Sequence, residues 1–536
     1  MKKLKLVCVA IAMAGAAPTF AGGLLTNTNQ HVAFNRMMSR EASIGIDGVY
    51  YNPAGVVFMG EGHHLAINWQ LAYQTRTINN DYSLFTNNVN NPITPRDFKG
   101  KAFAPVIPSF QYAYNKGKWS FQANFSLTGG GGKCTFDDGL GSFEKIVSET
   151  AIAACGLAGV VDQTLGNKLG QQGMEMFTSD QAFGKTGKYS FNSYMHGRQY
   201  YYGLSVGAAY KFCDNFSAFL GVRGVYALTN YYGYVENINV GNMPLYKVLD
   251  PTKENAANIE LSCDQTGVGF TPIIGVDYKT GRWNFSAKYE FKTRIRLKNK
   301  SVNQTPSIGN LPANLANQMT GILTARYQQA GLPLEQAKQQ AENTTNAVLN
   351  DPTVGATMMG LKTQFDQKLN KAIGEYEDGK KIAGDIPAYL ALGIGYSPVD
   401  AVRVNVGFHW FDDKNATSYN NRNKELKRGT LEYNAGVEVD VNKKITLSTG
   451  WQNTNYGLSD EYMDDKSFVV GSNSAAIGGV YHINKKMDLN VAYFHTFYQH
   501  KKTSETVQLA ADKSIVYNSD YTRNNNVFAV GLDINF

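Results

Sequence analysis

Val527-Phe-Ala-Val-Gly-Leu-Asp-Ile-Asn-Phe536 closes the chain with an unbroken two-residue alternation. Phe528, Val530, Leu532, Ile534 and Phe536 fall on one face and Ala529, Gly531, Asp533 and Asn535 on the other, because successive side chains of a strand point to opposite sides. One face suits lipid and the other a wet lumen. The pattern recurs upstream. In 119–127, Trp119, Phe121, Phe125 and Leu127 oppose Ser120, Gln122, Asn124 and Ser126. In 283–291, Trp283, Phe285, Tyr289 and Phe291 oppose Asn284, Ser286, Lys288 and Glu290, and in 402–410 Val402, Val404, Val406, Phe408 and Trp410 oppose Arg403, Asn405 and His409. Soluble sandwiches alternate too, but they do not crowd large aromatics onto one face of strand after strand. The 32 tyrosines and 28 phenylalanines are what aromatic girdles at two membrane interfaces require.

Six short turn signals, at 115–118, 212–215, 279–282, 397–401, 441–444 and 484–486, each join two such strands. With a first strand near 65–75 and the terminal one, they give an all-β membrane fold, a 14-stranded antiparallel transmembrane β-barrel. The long connections then fall on the opposite side, chiefly at 129–199, 227–267 and 294–385. Short inner turns and long outer loops are the bacterial pattern, which puts the turns in the periplasm and the chain in the outer membrane as a multi-pass protein. A terminal Phe536 also resembles the signal that such barrels present to their assembly machinery.

The N-terminus agrees with export. Lys2, Lys3 and Lys5 precede an apolar run to Ala17 and small residues up to Ala21, so residues 1–21 read as a signal peptide. Beyond it no run of 18 apolar residues occurs, and the 48 basic and 44 acidic residues that remain give no footprint for nucleic acid. Cys134, Cys155, Cys213 and Cys263 follow the signal; no two have zinc-like spacing, and Cys134 with Cys155 is the expected disulfide.

Residues 22–64 do not alternate. A lumen ringed by 14 strands is wider than side chains alone fill, so this segment is expected to be a plug inside it, with the barrel running from 65 to 536. Its Ser39-Arg-Glu-Ala-Ser-Ile-Gly-Ile-Asp-Gly-Val-Tyr-Tyr-Asn-Pro-Ala-Gly-Val56 resembles the hatch motif of the long-chain fatty-acid outer-membrane transporter family, FadL/TodX, centred on Asn52, Pro53 and Ala54. Further resemblance lies in 275–293, 386–396 and the terminal strands. It implies passive uptake of hydrophobic compounds, long-chain fatty acids foremost, by capture at outer loops, transfer to a lumenal pocket and release past a shifting hatch. It also implies a glycine-permitted distortion of the third strand, where Gly129-Gly130-Gly131-Gly132 stands. By themselves Asn52-Pro53 read as a chain reversal, since proline fixes a bend and removes a donor.

Lys288, Lys292 and Arg403 sit at lumenal positions where a cation can hold a carboxylate, with Phe34, Met37 and Met38 against an apolar tail. The connection 294–385 carries amphipathic helix signals that set Leu315, Met319 and Leu323, and then Leu361 and Phe365, on apolar faces, either as a loop mini-core or as a ligand groove. No Gly-x-Ser-x-Gly elbow and no metal-like His/acid spacing occur, so neither catalysis, nor a metal, nor a cofactor is expected. The expected partners are hydrophobic small molecules and outer-membrane lipids, and the expected state is a monomer. A surface adhesin anchored by a barrel, a porin, and a haem-binding variant, which the adjacent His63 and His64 would suit, are the competing readings.

Overall fold

The structure, a computed structural model, describes residues 25–26, 29–169, 187–241, 243–306, 308–510 and 513–536. The expected signal peptide lies outside them. Fourteen antiparallel strands close into a barrel. In chain order they are β1 (Gly62–Tyr82), β2 (Arg96–Lys116), β3 (Trp119–Phe136), β4 (Tyr189–Cys213), β5 (Phe216–Val240) and β6 (Ile259–Thr280). β7 (Trp283–Glu290) continues as Arg296–Gln304, and β8 begins with Lys381–Ala383 before its main run Tyr389–Val399. Then come β9 (Val402–Phe411), β10 (Arg428–Asn442), β11 (Ile445–Gly457), β12 (Ser472–Asn484), β13 (Met487–Tyr498, continued by Lys501–Ala510) and β14 (Lys513–Asn535). β14 closes on β1, with Trp69 opposite Val530 and Arg76 opposite Arg523.

The side-chain pattern is inverted relative to a soluble barrel. Trp69, Phe121, Leu220, Phe270, Phe285, Val406 and Ile477 stand exposed on the outer wall, while Asn68, Gln70, Gln111, Gln122, Asn405 and His409 are buried inside. Apolar surface on this scale is stable only against lipid. All six expected turns join consecutive strands.

The strands run further than their lipid-facing parts. A transmembrane strand needs about 9–11 residues, yet β1 has 21, β4 25 and β14 23. The connections expected at 129–199 and 227–267 are therefore much shorter than they read: β3 runs on to Phe136, β4 starts at Tyr189, β5 ends at Val240 and β6 begins at Ile259. Above the membrane both faces of a strand meet water or loops. The contrast that reveals a strand in sequence disappears there, and stretches such as Asn518 to Asn526 read as loop.

Helix α3 (Gly141–Leu169) fills the first of these shortened connections, and α5 (Leu311–Gln329), α6 (Leu334–Leu349) and α7 (Pro352–Ile373) occupy the connection between β7 and β8. With the one-turn α4 (Tyr246–Leu249) they share an apolar core. The expected Cys134–Cys155 disulfide is not formed, and none of the four described cysteines is in a disulfide. Cys134 sits on β3 opposite Ala102, packed with Ile78 and Phe136, whereas Cys155 lies along α3.

Candidate functional site

The lumen is filled by the chain's own start. Residues 29–61 carry α1 (Val32–Met37), α2 (Gly48–Tyr51) and the 3-10 turn Gly55–Phe58, and they meet the inward side chains of the wall throughout. His31 caps α1, its Nδ1 accepting the Ala33 N–H at 2.9 Å while Nε2 faces Asp533 at 3.1 Å. Asn68 Oδ1 accepts the Val32 N–H, and Arg36 is paired with Glu438. Met38 ends α1 in the left-handed region, turning the chain back across the lumen.

The middle of the segment is held by charge. Arg40 donates to Asp47 at 2.7 and 3.0 Å, and both ring nitrogens of His409 face carboxylates, Glu41 at 2.7 Å and Glu432 at 2.9 Å. Burial works against ionisation of Glu41 and of Asp47, but the imidazole and the guanidinium outweigh it and hold both carboxyls below the usual range. Asn284 donates to the Ala42 carbonyl and Asn405 to Ser43 Oγ.

At the motif itself, Asn52 Nδ2 donates to Asp277 Oδ2 at 2.5 Å and Asn52 Oδ1 accepts the Gly55 N–H at 3.2 Å. Gln122 donates to the Pro53 carbonyl and Ser217 to that of Ala54, each at 2.7 Å. Asn52, Pro53 and Ala54 are all buried. Phe34 stacks on Tyr51 with ring centroids 5.3 Å apart, and Met37 and Met38 are completely enclosed.

Beyond the plug, on the loop side, lies a lumenal cavity of about 230 Å³. Arg76 and Arg523 face it from β1 and β14, Lys466 and Phe468 from the β11–β12 connection, and Ala104, Ile107, Gly130 and Gly132 from β2 and β3. There the wall is incomplete. The β2–β3 ladder runs from Lys116 opposite Trp119 to Ser109 opposite Ser126, then resumes only at Ala102 opposite Cys134. β3 stays paired to β4 through two bulges, at 127–129 and 130–132, and β2 stays paired to β1 through one, at Gln70–Ala72. Pro105 and Pro108 lie on the unpaired stretch of β2 and have no N–H to offer β3. Gly130 and Gly132 take positive φ angles of 80° and 138° at the bulges opposite. The result is a break in the barrel wall beside the cavity.

A second, smaller cavity of about 90 Å³ lies in the loop layer, lined almost wholly by aliphatic carbons: Ile146, Val147 and Leu157 of α3, Ile238, Leu249 and Leu361 among them. α3 is tied down over the barrel mouth. Asp465 accepts the Ser142 N–H at 2.8 Å at its start, Tyr189 donates to Glu144 at 3.0 Å, and Tyr82 donates to Glu149 at 3.1 Å. Leu315, Met319 and Leu323 are buried in the mini-core and do not line this cavity; Leu361 does. Phe365 lies on α7 with its side chain outside the described ones. The sequence signal for α3 was the Ala/Val/Ile/Leu content of 146–165, diluted by Gly156 and Gly159.

The lumenal cations expected to face a ligand are engaged. Lys288 bonds Glu290 at 2.9 Å and the Tyr50 carbonyl at 2.7 Å, and Glu290 is also clasped by Arg223. Arg403 holds Glu438 and Asp440. Lys292 stands in the break between the two halves of β7, half-buried, donating to the Asn415 carbonyl at 3.1 Å. Arg76 and Arg523 were not singled out from the sequence. Among the described residues no group of three or more His, Cys, Asp or Glu side chains is arranged to hold a metal.

No protein-family model and no curated protein matches the sequence. Among solved structures, a FadL homologue of Pseudomonas aeruginosa is 14% identical, covering 96% of this chain and 100% of that one, with a TM-score of 0.57. The toluene transporter TodX of P. putida is 12% identical over 92% of this chain and 94% of that one, with a TM-score of 0.48. The first likeness establishes a shared fold, that of 14-stranded outer-membrane transporters.

Proposed function

We propose that this outer-membrane barrel, with the fold of FadL/TodX-type transporters, takes up hydrophobic compounds passively, with long-chain fatty acids as the leading substrate. The observation that carries the reading is the junction of the lumenal cavity with the break between β2 and β3. An apolar solute gains nothing from crossing a water-filled periplasmic exit, whereas a gap in the wall opens toward lipid, where its transfer is favourable by roughly 25 cal/mol per Å² of apolar surface.

The aliphatic cavity under α3 is suited to first capture. From there the ligand passes inward to the lumenal cavity. A sideways exit leaves the plug seated. Release past Asn52, Pro53 and Ala54 would first have to break their bonds to Asp277, Gln122 and Ser217. The filled lumen speaks against a general porin, and the passage needs no reacting group, so the reading is of a transporter that is not an enzyme.

The test is uptake of a labelled long-chain fatty acid into cells carrying the protein, with toluene and haem as competitors, alongside Ala104→Trp. Ala104 lines the cavity at the gap, and an indole there fills the passage. Saturable uptake displaced by other fatty acids and abolished by the substitution is expected. Uptake no greater than in cells lacking the protein would refute the transport reading, and undiminished uptake by Ala104→Trp would refute the sideways exit.

A further inference from the structure

Lys133 on β3 stands directly opposite Arg198 on β4, and Lys298 on β7 directly opposite Lys381 on β8. All four side chains point away from the lumen, because their neighbours in sequence face inward: Cys134 beside Lys133, Gly197 and Gln199 beside Arg198, Leu297 and Asn299 beside Lys298, and Ile382 beside Lys381. Like charges directly across a ladder destabilise it unless something neutralises them. Nearby cations have acids, Lys99 with Asp97 and Arg296 with Asp385, but among the described residues no carboxylate pairs with any of these four. Lys101 on β2, opposite Thr135, and Lys300 on β7 extend the two pairs, and the acid Asp264 faces Lys300 across the ladder.

These cations stand just beyond the lipid-facing wall. From Phe212 to Tyr202 a strand rising about 3.3 Å per residue at a tilt of roughly 35–45° climbs about 25 Å, the height of the apolar band, and Arg198 is the next outward position but one. On β6 the exposed Phe270 and Val268 give way to Thr266, the partner of Lys298. On β11, β14 and β1 the same level is neutral: just past Trp451, Phe528 and Tyr73 come Asn453, Asn526 and Thr75.

We infer that this cationic arc on the outer wall, from β2 to β8, docks the lipopolysaccharide of the outer leaflet, with lipid A phosphates on the Lys133–Arg198 and Lys298–Lys381 pairs and acyl chains along the exposed Phe103, Leu204 and Val268 below. Phosphate oxygens bring the negative charge that each pair lacks, and charge-assisted bonds of that kind are about twice as strong as neutral ones. Basic clusters at the rim of an apolar wall collect anionic head groups for this reason. A free phosphate would satisfy the cations alone, whereas a lipid meets both the cations and the wall beneath them. Lipid A carries a denser charge than a phospholipid and is the lipid that an outer membrane turns to the outside. Lys101 and Lys133 lie on the two strands that flank the break in the wall, which sets a docked lipid beside its loop-side end. The inference goes beyond the uptake reading and does not depend on it.

The experiment is native mass spectrometry of the purified full chain in nonionic detergent and EDTA, titrated with phosphorylated lipid A, with the same lipid A stripped of its phosphates, and with phosphatidylglycerol. The wild type is expected to bind phosphorylated lipid A more tightly than either of the others, by about tenfold or more. Lys133→Gln/Arg198→Gln/Lys298→Gln/Lys381→Gln is expected to lose that preference while binding the stripped lipid as the wild type does, which shows that its apolar wall is still formed. Lys443→Gln/Lys444→Gln/Lys485→Gln/Lys486→Gln removes the same charge from exposed positions at the periplasmic turns and is expected to keep the preference. So is Lys133→Arg/Lys298→Arg/Lys381→Arg, in which every cation remains. Equal binding of the phosphorylated and stripped lipids by the wild type overturns the inference, as does a preference that survives in the first variant or one that the periplasmic variant loses equally. Phosphatidylglycerol bound as tightly as lipid A overturns the assignment to lipopolysaccharide.

Discussion

Glu41 of the lumenal segment and His409 of β9 meet at 2.7 Å, and the same imidazole faces Glu432 of β10 at 2.9 Å on its other side. Both ring nitrogens thus have an acceptor, so one side chain bridges a carboxylate of the plug to a carboxylate of the wall. All three are buried. The ring is also boxed by Tyr389 and Phe411 and lies 3.4 Å from Asn434 Nδ2.

Removing the imidazole leaves Glu41 and Glu432 facing one another across an empty space, and breaking a buried ion pair typically costs about 3–5 kcal/mol. His409→Ala is therefore expected to loosen the plug while the barrel, held by its hydrogen-bonded ladders, stays closed. Conductance across a planar bilayer reads this directly: quiet for the wild type, with frequent openings for the variant. A variant as quiet as the wild type would show that the plug is held without this bridge.

A second grip is steric. Gly436 on β10 and Gly450 on β11 both lie against the backbone of Met37, whose carbonyl oxygen occupies the space a Cβ would need at either position. Gly450→Val forces α1 off the wall, and overpacking of this sort costs roughly 1–3 kcal/mol. The expected result is faster proteolysis of the segment near Arg36 and Arg40 with an unchanged barrel fragment. Cleavage at the wild-type rate would mean that α1 shifts without undocking.

The frame of this protein was legible and its joints were not. The alternation of 527–536 and the two-residue turns survive in sequence because lipid on one side and lumen on the other impose opposite chemistry on neighbouring residues. Where β14 rises past the membrane that contrast ends, and Asn518–Asp520 and Asn524–Asn526 resemble loop although they pair with β1. Asn52 was recognisable as a turn residue, but nothing local announces a partner 225 positions away at Asp277. The four glycines at 129–132 were visible as breakers; that they stand where the β2–β3 ladder is interrupted, on the side of the stretch that carries Pro105 and Pro108, depends on the register. The Arg76–Arg523 pair likewise exists only once the first strand closes on the last.

Asp413, in the connection after β9, gives a pH dependence. It is buried, accepting the Thr430 N–H at 3.1 Å, and burial pushes its carboxyl up to about 7. A carboxyl raised in the folded state favours folding fully below its unfolded value near 3.9, and that contribution is lost as pH rises through about 7. The connection is thus expected to be more protected at pH 5 than at pH 8. Hydrogen exchange at Thr430, corrected for the intrinsic rate, should accelerate over that interval in the wild type and stay flat in Asp413→Asn. Parallel pH profiles for the two proteins would assign the dependence to another group.

Cys134 offers a native reporter of occupancy. It lines the lumenal cavity on β3, at the edge where the β2–β3 ladder resumes, and its thiol is free. With Cys155, Cys213 and Cys263 changed to alanine, it is the remaining thiol after residue 21. A small apolar maleimide entering by the gap has to share that space with any bound ligand, so saturating laurate is expected to slow labelling several-fold. Ala104→Trp should slow it with no ligand present, because the indole stands between Cys134 and the opening. Labelling that responds to the tryptophan but not to laurate would put the ligand elsewhere in the lumen. Labelling that responds to neither would mean that the reagent arrives from the loop side, and the break in the wall would then not be a passage.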